Sequence, residues 1–257
     1  MQRFTIIGSG NVATWFAWMI RRNGGKIVQV CSQNRQHAEM LAAECKAQEI
    51  SQLNELNSES ELYIFAVKDD AYSTLVGQLP FILPHAVHTA GSVSQEIFKG
   101  YAHHYGVLYP YQSISKSMDF ENLAVPLCVE GNCRESEEKL ITLAQKWQIQ
   151  YYPLQAEQRA ILHLAATFAS NFTNALYGIA FELLHAKGIS EDIIFPLLDN
   201  TLEKIKKMSP CEAQTGPAVR NDKKTMNKHL EMIENQEFMR TVYRLFSGYI
   251  QAQRDTR

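Results

Sequence analysis

An α/β domain on a doubly wound, mostly parallel sheet, followed by an all-α C-terminal domain, is the architecture this sequence predicts. Three observations predict it. Short apolar strand patterns alternate with helical patterns from the first residues to Pro153. The first strand runs straight into a glycine turn that opens a helix. Beyond Pro153 only helical patterns remain.

The first strand, Phe4 to Ile7, enters Gly8-Ser9-Gly10-Asn11-Val12-Ala13, a G-x-G-x-x-A turn. Gly8 permits the tight bend, Gly10 lets backbone approach a pyrophosphate, and Ala13 is small enough for close helix-on-strand packing. The helix from about Asn11 to Arg22 aims its N-terminal N–H groups and dipole at the anion. A second strand, Lys26 to Cys31, completes the context of a dinucleotide-binding Rossmann unit.

The end of that second strand selects the cofactor. An NAD site places an acid about 20 residues after the glycines to hold both ribose hydroxyls. Ile27 to Gln36 contain none, and the strand ends instead in Ser32-Gln33-Asn34-Arg35. A hydroxyl, amides and a guanidinium suit a 2′-phosphate, so NADP is expected, with Ser32, Asn34 and Arg35 as its readers. The competing reading of Arg35 is a solvated residue at a helix start.

Further along, Arg35 to Lys46 reads as a helix, Leu62 to Val67 as a strand, and Ala71 to Leu79 as a helix. Ala86 to Thr89, Gly106 to Tyr109 and Ala124 to Val129 read as short strands, Glu135 to Trp147 as a helix, and Ile149 to Tyr152 as a last strand. Ligands of such sheets sit beyond the carboxyl ends of the strands, which draws attention to Val67 and to His88. His88 is expected to face the nicotinamide end or to be a hydrogen-bonded structural histidine. Pro153 marks the expected boundary between a cofactor domain, 1–153, and a helical substrate and dimerisation domain, 154–257.

In that second part, residues 160–181 carry no formal charge over 22 positions. His163, Thr167, Ser170, Asn171 and Asn174 fall on one arc at about 100° per residue, and such polar groups are expensive in hydrocarbon. The stretch therefore reads as a helix buried all round, its polar stripe lining a cleft, rather than as a membrane span. Two further helices, Lys223 to Ile233 and Gln236 to Gln253, follow one at Ser190 to Met208. The loop ahead of them holds Thr215-Gly216-Pro217 and Arg220-Asn221-Asp222, where Arg220 binds an anionic substrate group or forms a structural ion pair while Asp222 caps the next helix.

The bulk composition fits this reading. A net charge of −2 and 46% hydrophobic residues over 257 positions describe a globular protein with no electrostatic case for nucleic acid or membrane. Five cysteines, an odd number without a C-x-x-C pair, point to reduced thiols in the cytoplasm and to no metal site. No secretory signal is expected ahead of a strand that begins almost at Met1.

The pieces GSGNVA, VCSQNR, AVKDDA, HTAGSVS, GVLYPYQS, VEGN, HLAATFASNFTNAL and TGPAVRND together resemble the Rossmann-like NADP oxidoreductases that carry a C-terminal helical domain of unknown function. These are similar in fold to pyrroline-5-carboxylate reductase, the β-hydroxyacid dehydrogenases and the F420-dependent NADP reductases. The resemblance implies NADP at the glycine turn and a homodimer built on the helical domain; it implies no substrate. Asn221 stands where the family has glycine, and the helix lysine of the β-hydroxyacid dehydrogenases is missing.

The leading expectation is an oxidoreductase that moves a hydride between nicotinamide and a small substrate in a cleft between domains. His163, the titratable group of the stripe, is the expected acid/base, or else a core histidine; Ser170, Asn171 and Asn174 orient the substrate. The alternative is a non-catalytic NADP-binding sensor or scaffold, favoured by the missing lysine and the neutral cleft. An S-adenosylmethionine methyltransferase is disfavoured, because it too would want an acid after the second strand.

Overall fold

The structure is a computed structural model and describes residues 1–255. Strand β1 (Arg3–Ile7) leads through the glycine turn into α1 (Asn11–Arg22), followed by β2 (Lys26–Cys31), α2 (Arg35–Cys45), β3 (Gln48–Ile50), β4 (Leu62–Phe65) and α3 (Tyr72–Val76). Next come β5 (Leu83–His88), β6 (Ala102–Pro110), β7 (Leu127–Gly131), α4 (Arg134–Lys146) and β8 (Tyr151–Pro153). Helix α5 (Ala156–Ala166) runs through a π-helical segment, Thr167–Phe172, into α6 (Thr173–His185). Helices α7 (Phe195–Lys207), α8 (Pro210–Ala213), α9 (Lys223–Met232) and α10 (Glu237–Asp255) complete the chain.

The eight strands form one sheet in the order β3-β2-β1-β4-β5-β6-β7-β8. Every pairing is parallel except β6 with β7. Residues 111–126 between those two strands hold no crossover helix, so β7 returns antiparallel. Adjacent strand residues divide between two cores: Ile6 and Ile64 pack with Phe16, Ile20, Leu140 and Trp147, whereas Ile7 and Phe65 pack with Tyr72 and Phe98. That alternation is the signature of a sheet buried on both faces.

The chain forms two compact units, Met1–Ser170 and Asn171–Arg257. Helix α5 thus groups with the sheet, although the sequence placed the division at Pro153. The continuous buried helix expected over 160–181 is corrected in two respects. The π-helical segment breaks its 100° periodicity, and its apolar residues are open in the single chain, with Ile161 64% and Phe168 61% exposed. Asn221 adopts the left-handed φ of 52° that the loop requires, and the Asp222 side chain caps α9 by accepting from the Thr225 N–H at 3.1 Å.

Candidate active site

A cleft of about 1400 Å³ opens at the carboxyl ends of β1, β2, β4, β5 and β6, entirely within the first unit. Its floor is the glycine turn. Gly8 has φ 121°, and a Cβ there would overlap the Ala66 carbonyl oxygen, so only glycine lets β1 turn this tightly against β4. At Gly10 a Cβ would meet nothing within 4 Å, which leaves open space above the unpaired N–H groups at the start of α1. From behind, Lys116 fixes the turn, its Nζ donating to the Ser9 carbonyl at 2.8 Å and its backbone N–H to Asn11 Oδ1 at 3.3 Å.

Of the residues the sequence nominated, Gly8, Ser9, Gly10, Asn11, Val12, Ser32, Asn34, Val67 and His163 line this cleft. Ser9 Oγ donates to Ser32 Oγ at 2.8 Å, tying the glycine turn to the end of β2. Asn34 caps α2 by accepting from the His37 N–H at 3.1 Å, and His37, which the sequence reading passed over, also lines the cleft. Arg35 stays outside it: its guanidinium pairs with Glu39 one turn along α2, at 2.8 Å, and its side chain is 77% exposed.

His88 does not face the cofactor end. Its strand position turns the ring into the core between Tyr72 and Phe98, where Nδ1 accepts from the Ala90 N–H at 3.2 Å and burial pushes its pKa down to about 3. The cleft wall here is made by the next residues instead, Thr89, Ala90 and Gly91.

The far wall carries a tyrosine–histidine pair. His163 on α5 packs its ring over Gly91, where a Cβ would lie 2.8 Å from the imidazole, and its Nδ1 is 3.0 Å from the Tyr109 hydroxyl at the end of β6. Burial, with smaller effects from Cys128, Tyr111 and Asp69, pushes the Tyr109 phenol up to about 12, so it keeps its proton. Asp69, in the turn after β4, lines the cleft and accepts from Ser92 Oγ.

Helix α5 is anchored one turn before His163. Arg159, 1% exposed, forms an ion pair with Glu130 on β7 and donates from Nη2 to the Val93 carbonyl at 2.6 Å; Gln95 Nε2 donates to the same carboxylate at 3.1 Å. In the sequence this pair shows only as an arginine just ahead of the uncharged stretch 160–181. Ser170, which ends the first unit, is exposed, and so are Asn171, Asn174 and Arg220 in the second.

The donors fit NADP. Around the end of β2 the cleft offers hydroxyls, amides and one imidazole, from Ser32, Gln33, Asn34, His37, Ser51 and Gln52, with no carboxylate to repel a 2′-phosphate. Gly10 leaves the space a pyrophosphate needs. Among the described residues, no group of three or more His, Cys, Asp or Glu side chains is arranged to hold a metal.

Comparisons with known proteins agree with this geometry. The family model described as NADP oxidoreductase, coenzyme F420-dependent, matches residues 3–88, and that of a domain of unknown function, DUF2520, matches residues 125–250. The crystal structure of a Bacteroides fragilis protein assigned as an NADP oxidoreductase is 36% identical, with a TM-score of 0.90 over 98% of each chain. A Thermotoga maritima protein is 21% identical, with a TM-score of 0.71 over 98% of each chain. The reductive aminase of Aspergillus terreus, solved with NADPH, shares the fold at 15% identity, with a TM-score of 0.72 over 98% of this chain and 93% of that one. No curated protein matches.

Proposed function

The chain belongs to the family of NADP oxidoreductases in which the cofactor domain is followed by DUF2520, and on that premise we propose that it reduces a small carbonyl or imine compound, with His163 as the proton donor. The observation that carries this reading is the hydrogen-bonded Tyr109–His163 pair on the wall of the same cleft as the glycine turn. Bound at that turn, NADPH supplies a hydride from nicotinamide C4. The protein's part is to hold the substrate and deliver a proton.

With both ring nitrogens protonated, His163 donates Nδ1–H to the Tyr109 oxygen, which leaves Nε2–H as the acid. After transfer, the imidazole is neutral and the phenol can donate to Nδ1 in turn. A phenol that both donates and accepts holds the ring in one orientation through either protonation state. Ser170, at the end of the same first unit, has an exposed hydroxyl to offer a substrate; Asn171, Asn174 and Arg220 are exposed polar groups of the second unit. Beyond the missing helix lysine and the neutral stripe read from the sequence, nothing favours the non-catalytic sensor. Oxidation of NADPH by any member of a carbonyl and imine library tests the reading; a protein that binds NADPH yet turns over no member would return the cleft to a sensing role.

Cofactor choice follows from the same wall. NADPH is expected to bind at least tenfold more tightly than NADH, about 1.4 kcal/mol. Because Arg35 does not line the cleft, the 2′-phosphate falls to Ser32, Asn34 and His37. Calorimetry should find that His37→Ala lowers the NADPH-to-NADH preference by roughly tenfold, the strength of one charge-assisted hydrogen bond, while Arg35→Ala leaves it nearly unchanged. Equal affinities in the unaltered protein would overturn the NADP assignment itself.

We also propose a homodimer, in the cytoplasm. All five cysteines are free, which supports a reducing compartment. Large apolar side chains stand open along the helices, with Leu197 60%, Leu245 68% and Phe238 73% exposed, and a second copy would cover such surface without new sequence. Light scattering at micromolar concentration should report twice the 29.3 kDa chain mass. A folded monomer would refute the dimer, and a Phe172→Asp variant that stayed dimeric would place the interface elsewhere.

A further inference from the structure

A second cluster of reactive side chains lies at the other end of β6 from Tyr109. Cys133 is exposed and is the N-cap residue of α4, yet its side chain makes no capping hydrogen bond. Its Sγ is instead 3.7 Å from Nδ1 of His104 on β6. The other ring nitrogen, Nε2, lies 3.8 Å from the Glu135 carboxylate, which is fixed in turn by Lys139 Nζ at 2.8 Å. A thiol, an imidazole and a carboxylate therefore stand in sequence, with the thiol at the positive end of a thirteen-residue helix. Three of the other thiols differ in surroundings: Cys31 and Cys128 are buried and pushed up to about 11, and burial raises Cys45 as well; Cys211 is half-buried.

We propose that Cys133 is a reactive thiol that exchanges with low-molecular-weight disulfides, with His104 as its base and Glu135 as the nearby carboxylate that favours the imidazolium formed. His104 Nδ1 takes the Sγ proton, and the thiolate attacks one sulfur of the incoming disulfide. The new S–S bond forms as the old one breaks; the displaced thiolate leaves with the electron pair and takes the proton back from His104. No other oxidant enters. The titratable and charged groups around the thiol include His104 and Tyr105 from β6, His85 from β5, and Arg134, Glu135, Glu137 and Lys139 from α4, with Arg134 paired to Glu138. His85 stays neutral, because burial lowers it to about 4 and it is hydrogen-bonded to Ser136 Oγ at 3.0 Å.

The test is thiol exchange on the full chain, first with 5,5′-dithiobis(2-nitrobenzoic acid) and then with oxidised glutathione, the modified peptide being located by mass. One fast equivalent is expected, on Cys133, and Cys133→Ser should abolish it. His104→Gln should slow that equivalent by about tenfold at pH 7 and move its rate-against-pH profile upward, and Glu135→Gln should slow it less. NADPH affinity should be unaffected by the modification, since Cys133 lies outside the cofactor cleft. The inference is overturned if the fast equivalent maps to another cysteine, or if His104→Gln leaves both rate and profile unchanged.

Discussion

Replacing His163 with glutamine is expected to cut NADPH turnover by roughly two orders of magnitude or more while leaving NADPH affinity intact. Glutamine keeps much of the volume over Gly91 and can still bond the Tyr109 hydroxyl, but it has no acidic proton to give. Tyr109→Phe should do less, about tenfold, because it removes one orienting hydrogen bond and spares the proton donor. The two losses should not add, since both act through one imidazole. Steady-state rates with a substrate whose chemistry limits turnover, beside calorimetric NADPH binding, make the comparison. An unchanged rate in His163→Gln would reduce the histidine to packing over Gly91.

Arg159→Met should destabilise the first unit by about 3–5 kcal/mol, because it strands the Glu130 carboxylate with the neutral Gln95 amide as its side-chain donor. Adding Glu130→Gln to that variant should recover a large part of the loss, since the uncompensated charge is then gone. Urea unfolding gives both values. Arg159 also sits one helical turn before His163, so the single variant should lower turnover while leaving NADPH affinity nearly unchanged. A change below 1 kcal/mol would mean that the guanidinium contributes no more than a surface ion pair does.

Local chemistry was legible in the sequence and distant pairing was not. The glycine turn, α1 and β2 could be bounded to the residue because a strand, two glycines and a helix start lie within a few positions. Strand β3 was missed: Gln-Glu-Ile has no apolar run, and it exists because it pairs with β2. The direction of β7 was equally hidden, since apolar periodicity is the same whichever way a strand runs. His88 was placed by its position after a strand, but only the register decides which face its ring takes. Both pairs that shape the candidate site join residues far apart in the chain, 54 positions for Tyr109 with His163 and 29 for Glu130 with Arg159. A constant turn angle of about 100° per residue cannot reveal the π-helical segment, whose wider turn shifts every later side chain around the axis.

The sheet's two borders also bear on how the protein behaves when concentrated. An open sheet exposes unpaired N–H and C=O groups along its outermost strands, which invites strand-to-strand aggregation. Here those outermost strands are β3 and β8, three residues each. One carries Glu49 at its centre, and the other closes on Pro153, which has no N–H to offer an incoming strand. Neither presents a template long enough to recruit another chain. Fibrillar growth from the native sheet is thereby discouraged, and self-association is left to side chains rather than to backbone pairing.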